Sequence, residues 1–204
     1  MASRTYDNST RKEAQAQTIQ RIIGATVELH AEKGALATSH AEIAERAGVS
    51  VATVYKHFPN RSALLPHCIG AVAESAPPLD VEAILFEADA GERLRLLVET
   101  VFRRHRYSHP WLRWVERDVA GLPELVDVLQ AGQSEVEGLA DKVLENIAGP
   151  EVPPPTRAFA FALLDYGFWR RLEQTLGDAA EADRIATHAL RLFIFDSMRD
   201  QTRK

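Results

Sequence analysis

The sequence predicts an all-α protein, an N-terminal three-helix unit followed by a C-terminal helical bundle, about nine helices in all. Three observations predict it. Apolar residues recur at helical spacing along nearly the whole chain, no stretch alternates with period two between turn residues, and Gly, Pro and capping residues cut the chain into helix-length pieces. The 204 residues are 46% hydrophobic and 26% charged, which excludes a disordered or fibrous chain and suffices for a sizeable core.

The first helix is read at 11–33. Ile19, Ile22, Ile23, Thr26, Val27 and His30 form one stripe of it, with two polar members, and Gly34 can end it as a left-handed cap. Ser39-His40-Ala41-Glu42 is a capping box: the Ser39 side chain caps the backbone while Glu42, three residues on, reaches back. It opens a short helix, 40–47, that stops at Gly48. Ser50 caps another at 51–57, and Pro59-Asn60 ends that one before Asn60 caps a fourth from Arg61, in which Pro66 should produce a kink or displace the start. Two short helices across a tight Gly-containing turn, with a longer one before them, are the helix-turn-helix layout.

Beyond Ser75 the chain reads as helices at 81–87, 90–107, 110–119, 123–147, 155–175 and 179–201. Breaks are expected at Pro77-Pro78, Gly91, His109-Pro110, Gly121 to Pro123, Gly149 to Pro155, and Gly177. Domain boundaries of 1–62 and 63–204 follow. The single cysteine, Cys68, allows neither an internal disulfide nor a Cys-rich zinc site. The N-terminal residues lack a signal-peptide core, and no run of about 18 apolar residues exists, so a cytoplasmic protein without membrane association is expected.

The formal net charge is −5, but unevenly placed. Residues 1–66 carry eight basic against six acidic residues, a balance of +2, and the remainder sixteen against twenty-three, −7. A basic front on an acidic body suits a front that meets an anion. In a helix-turn-helix the second helix enters the major groove of duplex DNA, so its outward residues must be small or hydrogen-bonding. Ile43, Ala44, Ala47, Val49 and Val54 are spaced for the internal contact, leaving Val51, Ala52, Thr53, Lys56 and His57 outward. Lys56 can reach a guanine edge or a phosphate, Thr53 can donate to either, and the methyls of Val51 and Ala52 suit a thymine methyl. Tyr55, Arg61 and the amide-rich start at Ser39 are better placed for phosphate.

From Gly34 to Leu65 the chain resembles the tetracycline-repressor (TetR) family of bacterial transcription regulators. The resemblance is carried by Thr38-Ser39, by Glu42-Ile43-Ala44-Glu45-Arg46-Ala47-Gly48-Val49-Ser50, and by Thr53-Val54-Tyr55-Lys56-His57-Phe58-Pro59-Asn60-Arg61-Ser62-Ala63-Leu64-Leu65. By position, it implies phosphate contacts from Ser39, Tyr55, His57 and Arg61, and places His40, Ala41, Val51, Ala52, Thr53 and Lys56 at or near base edges. Val51-Ala52 departs from the Lys-Gly or similar pair of many members, and His30 stands at a position that is usually a core aromatic. The resemblance further implies a repressor that binds a palindromic operator as a dimer, with a ligand pocket in its C-terminal helices and dimer pairing through the last two.

In that acidic C-terminal part, polar-tipped aromatic groups inside an apolar bundle are the candidates for orienting a small-molecule effector: His105, Trp111, Trp114, Tyr166 and Trp169. His105 and His109 stand four apart, but Pro110 follows and no third ligand accompanies them, so no metal or other cofactor is expected. Phe161, Leu164, Phe168 and Leu172 form one apolar face, and Ile185, Ala189, Leu192 and Phe193 another, which suits an isologous homodimer. The rival reading is a helical-bundle enzyme or small-molecule carrier using the His105/His109 region. No nucleophile elbow, HExxH, phosphate loop or paired-carboxylate arrangement accompanies it, so an enzyme is not expected.

Overall fold

The computed structural model describes residues 8–202, with side chains placed for residues 10–199. Among the described residues there are eleven helices and no strand: α1 (Asn8–Lys33), α2 (His40–Ala47), α3 (Val51–His57), α4 (Arg61–Glu74), α5 (Val81–Phe86), α6 (Ala90–Leu112), α7 (Val115–Asp118), α8 (Glu124–Ala148), α9 (Pro154–Leu164), α10 (Tyr166–Leu176) and α11 (Ala179–Thr202). By mutual contact the chain forms two compact units, one reaching to Ala76 and including His109–Leu125, the other made of Pro77–Ser108 and everything from Val126.

In the first unit α1 packs on α2 and α4. Its core is Ile22, Ile23 and Leu29 of α1 with Ile43, Ala44, Val54, Phe58 and Leu64. Thr26 is fully buried in the same stripe and satisfies its hydroxyl by donating to the Ile22 carbonyl at 2.7 Å. Cys68 lies in this core too, and burial pushes its thiol up to about 12, so it behaves as an inert apolar group. α4 starts at Arg61 and runs through Pro66, whose missing N–H costs the Ser62 carbonyl its usual helical partner without ending the helix.

The second unit closes on Leu94, Leu97, Val98 and Phe102 of α6, with Val143 and Leu144 of α8, Leu164 of α9, and Leu190 and Ile194 of α11. Two expected boundaries are corrected here. The predicted stop at His109-Pro110 is absent: α6 continues to Leu112, since proline removes only one donor and the next turn still closes, with the Arg113 N–H donating to the His109 carbonyl at 3.1 Å. The predicted single helix at 155–175 is instead α9 and α10, separated at Asp165, whose extended backbone (ψ 146°) breaks the helix. Its side chain accepts from the N–H groups of Gly167 and Phe168 at 2.7 and 3.3 Å and caps α10.

Candidate nucleic-acid interface

Four local caps set the ends of α2 and the starts of α3 and α4 in the first unit. At the start of α2 the capping box is complete: the Glu42 N–H donates to Ser39 Oγ at 3.3 Å, and the Ser39 N–H donates to Glu42 Oε2 at 3.0 Å. Lys33 pairs with the same carboxylate, and this bond together with the Ser39 donors holds the Glu42 carboxyl down at about 2. The start of α2 therefore already carries an anion of its own. At its end Gly48 sits in the left-handed region (φ 63°), donating to the carbonyls of Ala44 and Glu45 and turning the chain toward α3. Ser50 then accepts the Thr53 N–H at 3.1 Å, and Asn60 accepts that of Ala63 at 2.9 Å to open α4.

This frame fixes which side of α3 faces outward. Val54 is fully buried against the core, while Val51 is 41% and Tyr55 51% exposed, and Ala52 and Lys56 are exposed beside them. Positions 51, 52, 55 and 56 form one strip of helix surface. Thr53 and His57 are half-buried at its margins, and the Thr53 hydroxyl shares a 2.8 Å hydrogen bond with that of Ser50. No acidic residue stands in the first turn of α3, and Lys56 and His57 close its last.

The other sequence-predicted contacts are placed around that strip. Ala41 is exposed and Ser39 half-buried. Arg61 is exposed, yet its guanidinium donates to the Thr38 carbonyl from Nε and Nη2 at 3.3 and 3.2 Å, tying the start of α4 to the residue before α2. His40 is half-buried: its Nε2 donates to the Phe58 carbonyl at 3.0 Å, and its ring stacks on that of Tyr55 with centroids 4.5 Å apart and planes 7° from parallel.

The five ligand candidates are divided between the two units. His105, Tyr166 and Trp169 cluster in the second unit, with ring centroids 5.5 to 5.7 Å apart. There His105 is buried and its Nε2 donates to the Leu164 carbonyl at 2.8 Å, the acceptor at the α9–α10 break. Burial lowers its pKa. Trp169 donates to Glu173 at 2.6 Å, and Arg106 ties that carboxylate to Asp183. Trp111 and Trp114 belong to the first unit, where their indole N–H groups donate to the carbonyls of Val27 and Ala31 at 2.9 and 3.1 Å. An open groove of about 750 Å³ lies elsewhere, along α11, and includes Phe159, Leu192, Phe193 and Arg199 in its lining. Among the described residues no three His, Cys, Asp or Glu side chains are grouped to hold a metal ion.

Sequence reasoning missed a set of residues on which the front unit depends. Arg113 donates to the Ala31 carbonyl at 2.8 Å and Arg117 to that of Lys33 at 2.6 Å, so cations neutralise the carbonyl end of α1. Asp118, 2% exposed, accepts the N–H groups of Ala35 and Leu36 at 2.6 and 3.2 Å. Gly34 (φ 87°) allows this close approach, because a Cβ there would lie 2.6 Å from Asp118 Oδ2. The residues involved are more than 80 positions apart, and no local pattern joins them.

The class defined by this geometry is a helix-turn-helix protein joined to a second all-helical unit. Residues 22–68 match the family model of bacterial regulatory proteins of the tetR family. A stretch of 86 residues is 33% identical to the HTH-type transcriptional repressor KstR of Mycolicibacterium smegmatis, spanning 42% of this chain and 42% of that relative. The fold is similar to that of a TetR-family transcriptional regulator from Mesorhizobium loti MAFF303099 (TM-score 0.63, 20% identity, covering 88% of this chain and 96% of that one). It is also similar to a transcriptional regulator from Rhodococcus sp. Rha1 (TM-score 0.58, 21% identity, 89% and 96% covered). The family match is thus confined to the N-terminal helices, and the solved structures extend the likeness in fold to most of the chain. Among the described residues no helix is long and apolar enough to cross a membrane.

Proposed function

We propose that the protein is a ligand-responsive transcriptional repressor that binds a palindromic operator as a homodimer and is released by a small molecule. The observation that carries this reading is the exposed strip of α3, with the apolar Val51 and Ala52 at one end and Tyr55 and Lys56 at the other, on a helix whose opposite side is buried. A seven-residue helix held at both ends, offering methyl groups and a cation to water, has the dimensions and chemistry of a major-groove reader. Lys56, Val51 and Ala52 read bases. Tyr55, with His57 and the start of α4 at Arg61, meets phosphate.

In this proposal residues 1–62 carry the operator contact, and 63–204 carry effector binding and dimer pairing. The exposed apolar side chains of the last two helices, Phe168 and Leu176 on α10 with Leu192 and Phe193 on α11, support the pairing. His105, Tyr166 and Trp169 are the effector-facing group that remains together. The effector acts by linkage: if it binds better to a dimer whose recognition helices do not match successive major grooves, it weakens DNA binding by that same differential. No chemistry on the effector is needed.

The test is binding of labelled duplexes, including fragments selected from genomic DNA, across a salt series. A regulator shows affinity falling linearly with salt on logarithmic axes and prefers one palindrome. In that assay Lys56→Ala changes the sequence preference, whereas Tyr55→Phe weakens all duplexes about equally. Duplex binding that is absent or indifferent to salt would overturn the proposal.

A further inference from the structure

We infer that His40 is a positioning residue of the DNA interface, which acts through Tyr55 by closing the open end of the helix-turn-helix. The inference rests on the proposal that Tyr55 meets a phosphate.

At one end α2 and α3 are joined by the Gly48 turn, whose backbone conformation sets their crossing. At the other end no turn joins them, and short helices have little length with which to fix their mutual angle. His40 is the first residue of α2, and Phe58 is the C-cap of α3. The 3.0 Å bond from His40 Nε2 to the Phe58 carbonyl therefore ties the start of one helix to the finish of the other. An acceptor carbonyl requires the proton on Nε2, which selects the tautomer and orients the ring.

The oriented ring then has a second task. Its face lies parallel to Tyr55 at 4.5 Å, and Tyr55 is 51% exposed, so a large part of the tyrosine is otherwise bounded by water. A half-exposed tyrosine free to change its χ1 must be ordered when DNA binds, and that ordering is subtracted from affinity. Stacking on a ring that is itself tethered orders it beforehand. His40 thus joins a backbone tie to an aromatic support, and no other single side chain type supplies both a planar ring and an N–H donor at this length except a larger indole.

A double-mutant cycle on duplex affinity tests this, with H40A, Y55F and the pair measured on the full chain, and fold and Tm monitored for each. Y55F keeps the stacked ring and removes the phosphate-reaching hydroxyl. The expectation is that H40A weakens binding about tenfold in the natural background and less than about twofold in Y55F, because the hydroxyl it positions is gone. H40F, which keeps a ring but cannot donate to the Phe58 carbonyl, recovers only part of the loss, and full recovery would overturn the role of the tie. Equal factors in both backgrounds would mean a general structural role and overturn the inference, as would an H40A protein that binds normally. Should H40A lose its fold, the cycle is run with H40Q, which keeps a donor and lacks the ring, and the same two outcomes decide. A natural protein with no salt-dependent duplex binding would sink the regulator reading itself, and this inference with it.

Discussion

The helix-turn-helix region and the second unit satisfy their helix ends in different ways. Residues 34–63 do it locally: Ser39, Ser50 and Asn60 each cap a backbone N–H three residues on, and Gly48 ends α2 in the left-handed region. The second unit also caps helix starts locally, at Asp80, Asp89, Asp165 and Asp178, and adds polar ties between helices far apart in sequence. The Leu164 carbonyl at the α9–α10 break is taken by His105, 59 positions away, and the Arg106 guanidinium joins α6 to Glu173 on α10 and Asp183 on α11. Local caps set where these very short helices of residues 34–63 begin and end, while the packing of Ile43, Ala44 and Val54 in the core keeps them folded. A region held by long-range polar ties has a conformation that depends on how its helices are arranged.

The sharpest break of this contrast is Asp118→Ala. Although it lies in the first unit, Asp118 is a distant tie, and its removal leaves two backbone N–H groups without their acceptor beside the carbonyl end of α1. A loss of about 4 kcal/mol is expected in urea unfolding, with hydrogen-exchange protection lost first at Ala35 and Leu36. A loss under about 1 kcal/mol would show that the caps alone hold the turn.

Acid comes next. Burial lowers the His30 imidazole from 6.5 to about 4. Between those values the unfolded chain takes up a proton that the native one refuses, so stability is full above about pH 6.5, declines as pH falls, and levels off near 4. The total is up to about 3 kcal/mol. His105 is lowered in the same direction by its own burial, so the second unit weakens over the same side of the scale. Melting of the natural protein and of His30→Phe between pH 4 and 7 checks this: the variant should have a shallower decline, and parallel curves would exclude His30 as a source.

The smallest effect is Ser50→Ala, about 1 kcal/mol from the lost cap on α3. Because the cap is local, thermal unfolding should show the cost with no change in the environment of His105.

The extent to which the fold was legible follows the same division. The bounds of α2 and α3 were readable because a serine or glycine within one turn decides each of them. The helix at 155–175 was misread because Asp165 inside an apolar run has no meaning until the carbonyl it exposes finds His105. Pro110 misled for a related reason: it removes one donor, and whether a helix survives that loss depends on the packing of the residues that follow. Among the candidate contacts, Val51, Ala52 and Lys56 are exposed as helical periodicity predicts, whereas Thr53 and His57, expected outward, are half-buried at the margins. The ties of His40 to Phe58 and of Arg61 to Thr38 were not legible, because each joins two elements whose separation in space is unknown from a string of letters.

The sequence alone therefore determined the all-helical class, the caps and turn of the helix-turn-helix, and the face of α3 left to water, since each depends on interactions within a few residues. Tertiary structure alone decided that Asp118 and two arginines close the end of α1, that His105 serves a broken helix, and that the ring of His40 lies on Tyr55. Those contacts join residues up to more than 80 positions apart. Their energy appears only once the apolar core has brought the partners together and excluded the water that would otherwise satisfy them.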